Sequence, residues 1–156
     1  MAGMLKLFKM SFLGKVPNIL DQIDPKTMQE QTAYEMLGGP QSLRELVDRF
    51  YDLMDLEPEF AELRAMHPPT LDGSRDKLFM FLSGWLGGPD LFVEQFGHPR
   101  LRARHMPFSI GTESRDQWVK CMVRAMDEVG VDEALRLRLG VNFFNTADFM
   151  RNREGA

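Results

Sequence analysis

The chain has 156 residues, one domain's length, and a domain of that size buries about 70% of its unfolded surface, enough for a core built around a ligand. A net charge of −4 with a pI near 5.4 leaves no overall basic field to draw nucleic acid. The single cysteine, Cys121, excludes an intrachain disulfide and a zinc site made of several thiolates, and it fits a reducing cytoplasm. No apolar run reaches the roughly 18 residues needed to span a bilayer. Twelve Phe and twelve Met stand out; flexible, polarisable Met either fills gaps in a core or lines an irregular pocket.

Residues 1–20 set Lys6, Lys9 and Lys15 among Leu5, Phe8, Phe12, Leu13, Val16 and Leu20. The lysines break the unbroken apolar stretch of roughly 7–15 residues that a signal peptide requires. The spacing suits an amphipathic helix. Such a helix lies on a membrane surface, packs on the domain or a second subunit, or frays. Residues 1–30 therefore read as an extension, amphipathic or partly disordered, ahead of a domain over 31–152 and a tail over 153–156.

Helical periodicity governs the rest, with no convincing strand pair, so the fold class is all-α. A short segment from Thr32 to Leu37 ends at Gly38-Gly39. Pro40 then sits where a first helical residue is favoured, because its missing N–H costs nothing there. Leu43, Leu46, Val47, Phe50, Tyr51 and Met54 follow on one helix face. After Pro58 a short helix runs to Met66. His67-Pro68-Pro69 is a non-helical turn, since a residue before proline is pushed out of the α region.

The next helix starts near Gly73, with Leu78, Phe81, Leu82, Trp85 and Leu86 as its apolar face, and stops at Gly87-Gly88-Pro89. Residues 90–111 are less regular. Thr112 or Ser114 caps a long helix, Ser114 and Gln117 having capping-box spacing. Its face is Trp118, Cys121, Met122, Ala125, Met126 and Val129, and Gly130 ends it. Asp132 starts the last helix, with Leu135, Leu139, Phe143 and Met150 inward. Two helix pairs thus flank an irregular connector rich in histidine and arginine, and connectors carry function more often than scaffolding does.

The three histidines, His67, His98 and His105, match no zinc signature, and no catalytic triad is announced by sequence. The informative stretch is Gly97-His-Pro-Arg-Leu-Arg-Ala-Arg-His-Met-Pro-Phe108. Leu101 and His105 are four apart and share a face of a short helix. Phe108 continues that patch, and Arg102 and Arg104 flank it. Haem needs such a set: a neutral imidazole for iron, apolar walls, and guanidinium partners for two propionates. The same residues suit a phosphate site or a surface salt-bridge cluster equally well.

From Thr32 to Asn152 the chain resembles a group II truncated haemoglobin. The resemblance rests on Tyr34-Glu-Met-Leu-Gly-Gly, Arg49-Phe50-Tyr51, Gly87-Gly88-Pro89, the Gly97–Phe108 stretch and Arg115-Asp-Gln-Trp118. The Gly97–Phe108 stretch is the specific piece. The resemblance implies a two-over-two helical sandwich around haem b, with His105 as proximal iron ligand, Tyr51 and Trp118 on the distal side, and a homodimer. It places Leu78, Phe81, Leu82, Phe92, Phe108 and Ile110 around the macrocycle and Arg102 and Arg104 at its rim. Ser74 takes the position where classical globins carry a distal histidine. His67 falls at the distal edge, as a third hydrogen-bond donor, a sixth iron ligand or a turn residue. His98 is expected to pack or cap locally, and Cys121 to be a buried small hydrophobe. The extra N-terminal residues have no counterpart in the resemblance.

Phenol and indole are both donors, and on apolar faces each hydrogen bond to a partly negative ligand atom is worth about 1–2 kcal/mol; either ring is also an ordinary core residue. The implied function is binding of O₂, NO and related diatomics at a six-coordinate ferrous iron. Two donors slow ligand loss, which points to redox work with an unidentified electron donor, peroxidase-like or NO-dioxygenase chemistry, rather than bulk transport. The alternatives are a ligand sensor, or a non-haem helical interaction module that uses the N-terminal segment.

Overall fold

The computed structural model describes residues 31–154, and the amphipathic segment expected over 1–20 lies outside the described residues. Every regular element among the described residues is helical. Helix α1 (Ala33–Leu37) opens on Thr32, whose hydroxyl accepts from the Glu35 N–H at 3.2 Å. It closes on Gly38 in the left-handed region at φ +117°. Helix α2 (Pro40–Leu56) starts at Pro40 as predicted, and the anticipated face is buried with Leu53 added to it.

A 3₁₀ turn (Pro58–Phe60) leads into α3 (Ala61–Ala65), which stops just short of the His67-Pro68-Pro69 turn. Helix α4 (Asp72–Trp85) is followed by α5 (Leu91–Phe96) and α6 (Leu101–His105). The stretch expected to be irregular therefore contains a second short helix, α5, whose six residues are too few to display a helical period.

Helix α7 (Thr112–Glu128) starts from Gly111 without a side-chain cap, so the Ser114–Gln117 capping box does not form. Gln117 instead ties α7 to α3. Its Oε1 accepts from the Leu63 N–H at 3.2 Å, and its Nε2 donates to Glu62 at 3.3 Å. Asp132 caps α8 (Glu133–Phe149) as predicted, accepting from the Leu135 N–H at 3.4 Å.

Helix α2 packs on α4 and α7 packs on α8, while α2 also crosses α7, which gives two helix pairs laid one over the other. One core joins them, with Phe50, Met122, Met126, Leu139 and Phe143 at 2% exposure or less. Burying one such side chain stabilises the fold by about 1.5–3 kcal/mol. Two glycines seat α1 on the end of α4. A Cβ at Gly88 would lie 2.6 Å from the Tyr34 ring, and one at Gly87 would lie 2.9 Å from the Thr32 Cβ. The Tyr34 and Gly87-Gly88 motifs, distant in sequence, are thus one contact.

The two layers do not close on one another everywhere. Leu78, Phe81, Trp85 and Trp118 pack against the core while keeping part of their surface outside it. On that side Phe81 of α4 meets Phe92 of α5 with ring centroids 6.3 Å apart, and Arg104 of α6 lies 5.2 Å over the Phe92 ring. The partly exposed face of the sandwich beside α5 and α6 is the candidate cleft.

Candidate functional site

The Gly97–Phe108 stretch folds as a turn and one helical turn, and nearly every residue in it has a backbone task. Gly97 has φ +75°, and Arg100 sits in the left-handed region at φ +45°. The His98 Nδ1 accepts from the Arg100 N–H at 3.1 Å, so His98 caps locally as expected. Arg104 donates through Nε to the Pro99 carbonyl at 2.6 Å, drawing the helix back on the turn.

His105 ends that helix. Its Nδ1 lies 2.6 Å from the Leu101 carbonyl oxygen. A carbonyl only accepts, so Nδ1 carries the proton and Nε2 keeps a free lone pair. That is the arrangement in which a metal-ligating histidine is usually held: one nitrogen donates to a backbone carbonyl and the other faces the metal. His105 is half-buried.

Tyr51, His67 and Trp118 belong to one aromatic group. The Tyr51 and His67 rings meet edge-on with centroids 5.8 Å apart. Phe50 stands 4.9 Å from Tyr51 and 5.2 Å from Trp118, and Trp118 stands 5.5 Å from Phe143. Interlocked rings hold the phenol and the indole in place. Among the described residues neither the Tyr51 hydroxyl nor the Trp118 N–H has a protein hydrogen-bond partner, and neither is a fully buried unsatisfied group. Burial raises the Tyr51 pKa well above that of an exposed phenol, so the hydroxyl stays a donor across neutral pH.

His67 is set like His105, its Nδ1 lying 2.9 Å from the Leu63 carbonyl. Nδ1 therefore carries the proton, and Nε2 of the neutral ring is an acceptor or a ligand rather than a donor. Burial lowers the His67 pKa, the hydrogen bond to the Leu63 carbonyl opposes it, and the Arg64 charge and the nearby His105 act with burial. That coupling places the two histidines within electrostatic reach of each other.

The remaining expected residues divide. Leu78, Phe81 and Ser74 are half-buried on α4, Phe92 is 7% exposed and Ile110 8% exposed. Phe108 is 45% exposed, while Leu82, at 1%, has its surface against the core rather than the cleft. Arg102 donates to the Phe149 carbonyl at 2.9 Å and lies 5.4 Å over the Phe149 ring. Arg104 serves the Pro99 turn and the Phe92 ring, so both arginines already hold the scaffold. Cys121 is fully buried as anticipated, donates to the Phe50 carbonyl at 3.3 Å, and has its thiol pKa pushed up to about 12 by burial.

Three supporting residues escape the sequence reading. Arg64 donates to Asp55 at 2.8 Å and to the Pro68 and Pro69 carbonyls at 2.9 Å each, clamping the turn that carries His67. Arg75 reaches Asp52 at 2.7 Å and the Asp48 carbonyl at 2.9 Å, and lies 5.8 Å over the Tyr51 ring. The spacing of Asp48 and Asp52, four apart on one helix face, was the available signal for it. Asn152 bonds to the segment after His105, and nothing in its local sequence announces that.

Comparison with known proteins places this architecture. The family model described as bacterial-like globin matches residues 32–152. The chain is 41% identical over 123 residues to group 2 truncated hemoglobin YjbI of Bacillus subtilis (strain 168), covering 79% of this chain and 90% of that protein. It is similar to the structure of a cold-adapted truncated hemoglobin from the Antarctic bacterium Pseudoalteromonas haloplanktis TAC125. That pair has a TM-score of 0.77 at 46% identity, covering 80% of this chain and 100% of the other. A group II 2-on-2 hemoglobin from Agrobacterium tumefaciens matches with TM-score 0.78 at 44% identity, over 82% of this chain and 99% of that one.

Proposed function

The chain belongs to the bacterial-like globin family, as a two-over-two truncated globin, and from that premise we propose that it holds haem b through His105 and binds O₂, NO and other diatomics opposite Tyr51 and Trp118. The observation that carries this reading is the His105 tautomer. Nδ1–H is committed to the Leu101 carbonyl at 2.6 Å, which leaves Nε2 unprotonated at an apolar cleft.

The residues fit the cofactor on chemistry. A neutral imidazole serves as axial ligand. Phe81, Phe92, Leu78 and Ile110 supply apolar walls, and the rim carries arginines whose remaining N–H groups are available to propionates. Arg102 and Arg104 contribute there only with the hydrogens not already given to Phe149 and Pro99. Haem iron, when bound, supplies reversible coordination of diatomic ligands.

The chain's own residues do the rest. Tyr51 and Trp118 offer two donors, fixed by Phe50 and Phe143, to a ligand that gathers negative charge. Interlocked rings thin out competing water, so each bond counts for more. His67, edge-on to the Tyr51 ring, keeps an unprotonated Nε2 suited to accept a hydrogen bond or to ligate iron. Ser74 leaves room where a bulkier residue would gate entry. Two donors that retain ligand support redox work on NO or peroxide, with an electron donor yet to be identified, over bulk carriage. A single, buried Cys121 fits a cytoplasmic setting, and no described helix is long and apolar enough to cross a membrane.

A second copy of the chain is the expected partner. Leu137 and Val141 of α8 are 66% and 62% exposed, and Phe144 of α8 and Val123 of α7 are 39% and 37% exposed beside them. Sedimentation at micromolar concentration should give twice the chain mass.

Haem titration tests the main reading. Purified protein should take up haem in a one-to-one ratio with a sharp Soret band. A chain that stays colourless after haem supplementation overturns it.

A further inference from the structure

The segment that leaves His105 runs without regular structure to Ile110, and the C-terminal end of α8 closes over it. Asn152 uses nearly its whole hydrogen-bonding capacity there. Its Nδ2 donates to the His105 carbonyl at 3.3 Å and to the Phe108 carbonyl at 2.7 Å. Its Oδ1 accepts from the Ile110 N–H at 2.9 Å. Its own backbone N–H donates to the Ile110 carbonyl at 3.0 Å, and the Arg153 N–H reaches the same oxygen at 3.2 Å. Two carbonyls against one side of the amide and an N–H against the other permit only one orientation of that side chain.

One turn earlier, Arg102 donates to the Phe149 carbonyl at 2.9 Å. The C-terminal end of α8 therefore grips α6 at two points, one on each side of the histidine. The His105 carbonyl also accepts from the Phe108 N–H at 3.0 Å. The backbone of His105 is thus pinned at its oxygen while the ring is pinned at Nδ1. Few rotations remain that would move Nε2.

We propose that Asn152 is the positioning residue of the iron-binding histidine: a bracket from the C-terminal segment that fixes the direction in which His105 presents Nε2. The inference rests on the haem reading above. The Asn152 side chain is committed to backbone groups of the 105–110 segment. It acts through the His105 backbone carbonyl, while the ring nitrogen is held separately by Leu101. Asparagine is required because the site needs two donors and one acceptor on one short planar group. Aspartate matches the shape but offers acceptors to two carbonyls.

The test compares Asn152→Ala, Asn152→Asp and the neighbouring Arg151→Ala in the full-length haem-loaded chain. Arg151 bonds to Asp148 at 2.6 Å and takes no part in the bracket. Resonance Raman of the ferrous, ligand-free protein reads the iron–histidine stretch, and amide exchange in the haem-free chain reads Ile110. Both Asn152 variants should shift or broaden the stretch, Asp more than Ala; Asn152→Ala should also speed Ile110 exchange about tenfold, the loss of one hydrogen bond of about 1.4 kcal/mol, whereas Asn152→Asp keeps an acceptor for the Ile110 N–H and should leave that exchange near the parent rate. Arg151→Ala should leave the stretch where the parent has it. An unshifted stretch in Asn152→Ala and Asn152→Asp overturns the proposal, even if both melt earlier, because that is what a residue with a stabilising role alone would do. If the parent itself shows no iron–histidine band, the haem reading fails instead, and the two failures cannot be confused.

Discussion

On the α6 side of the cleft, His105 is held by hydrogen bonds: Leu101 on its ring, Asn152 on its carbonyl, and a turn drawn together by His98, Pro99 and Arg104. On the α2 and α7 side, Tyr51 and Trp118 are held by rings, with Phe50 and Phe143 between and behind them. A helix of five residues cannot bury enough surface to hold itself, so the histidine side needs directed polar contacts. The distal side grows from two 17-residue helices that share the core, and packing alone fixes it. A polar scaffold tolerates few substitutions and fails abruptly, while a packed one degrades by degrees.

The largest test of that contrast is His105→Ala. Removing a second partner of a ligating histidine costs about 10–100-fold, so removing the ligand itself should cost more than about 100-fold in haem affinity. The helices should persist, since His105 is not in the core cluster. Haem titration with far-UV circular dichroism reads both, and unchanged affinity would assign the iron to another residue.

Tyr51→Phe and Trp118→Phe come next. Each removes one donor of about 1–2 kcal/mol while keeping most of the ring packing, so O₂ dissociation should speed about tenfold in each. Because burial raises the Tyr51 phenol, its contribution should persist as pH climbs past about 10, where an exposed tyrosine ionises. Stopped-flow traces with equal rates for parent and variants would return both residues to the role of core. One distal element breaks the rule of packing: the His67 turn hangs on Arg64. Arg64→Met should cost about 1–2 kcal/mol in chemical denaturation through its lost carbonyl bonds, with a change in O₂ dissociation smaller than for Tyr51→Phe.

The same contrast explains what was legible in the sequence. The apolar faces of α2, α7 and α8 followed from period alone, because burial in a two-layer sandwich repeats every helical turn. The Gly97–Phe108 stretch is conspicuous because a polar scaffold uses unusual residues densely, but the sequence does not show that Arg102 and Arg104 also serve carbonyls of the fold. Gln117 is a like case: its spacing from Ser114 fits a local cap, and only tertiary structure brings Leu63 and Glu62 to it. Helix α5 was too short to show a period. Asn152 and Arg64 were invisible because their partners are backbone atoms, and a carbonyl leaves no mark on the sequence that supplies it.

The smallest effect probes the cost of that polar scaffold. Arg100 is the one non-glycine residue at positive φ among the described residues, and a side chain in that region costs about 1 kcal/mol because its Cβ crowds the following carbonyl. Its backbone N–H bond to His98 does not depend on its side chain. Arg100→Gly should therefore raise stability by up to about 1 kcal/mol in equilibrium denaturation, with haem affinity unchanged. A stabilised variant with intact affinity would mean that the turn needs its backbone shape and not the guanidinium. A variant that instead loses haem would make Arg100 part of the rim, and would move the polar side of the comparison from scaffold to binding surface.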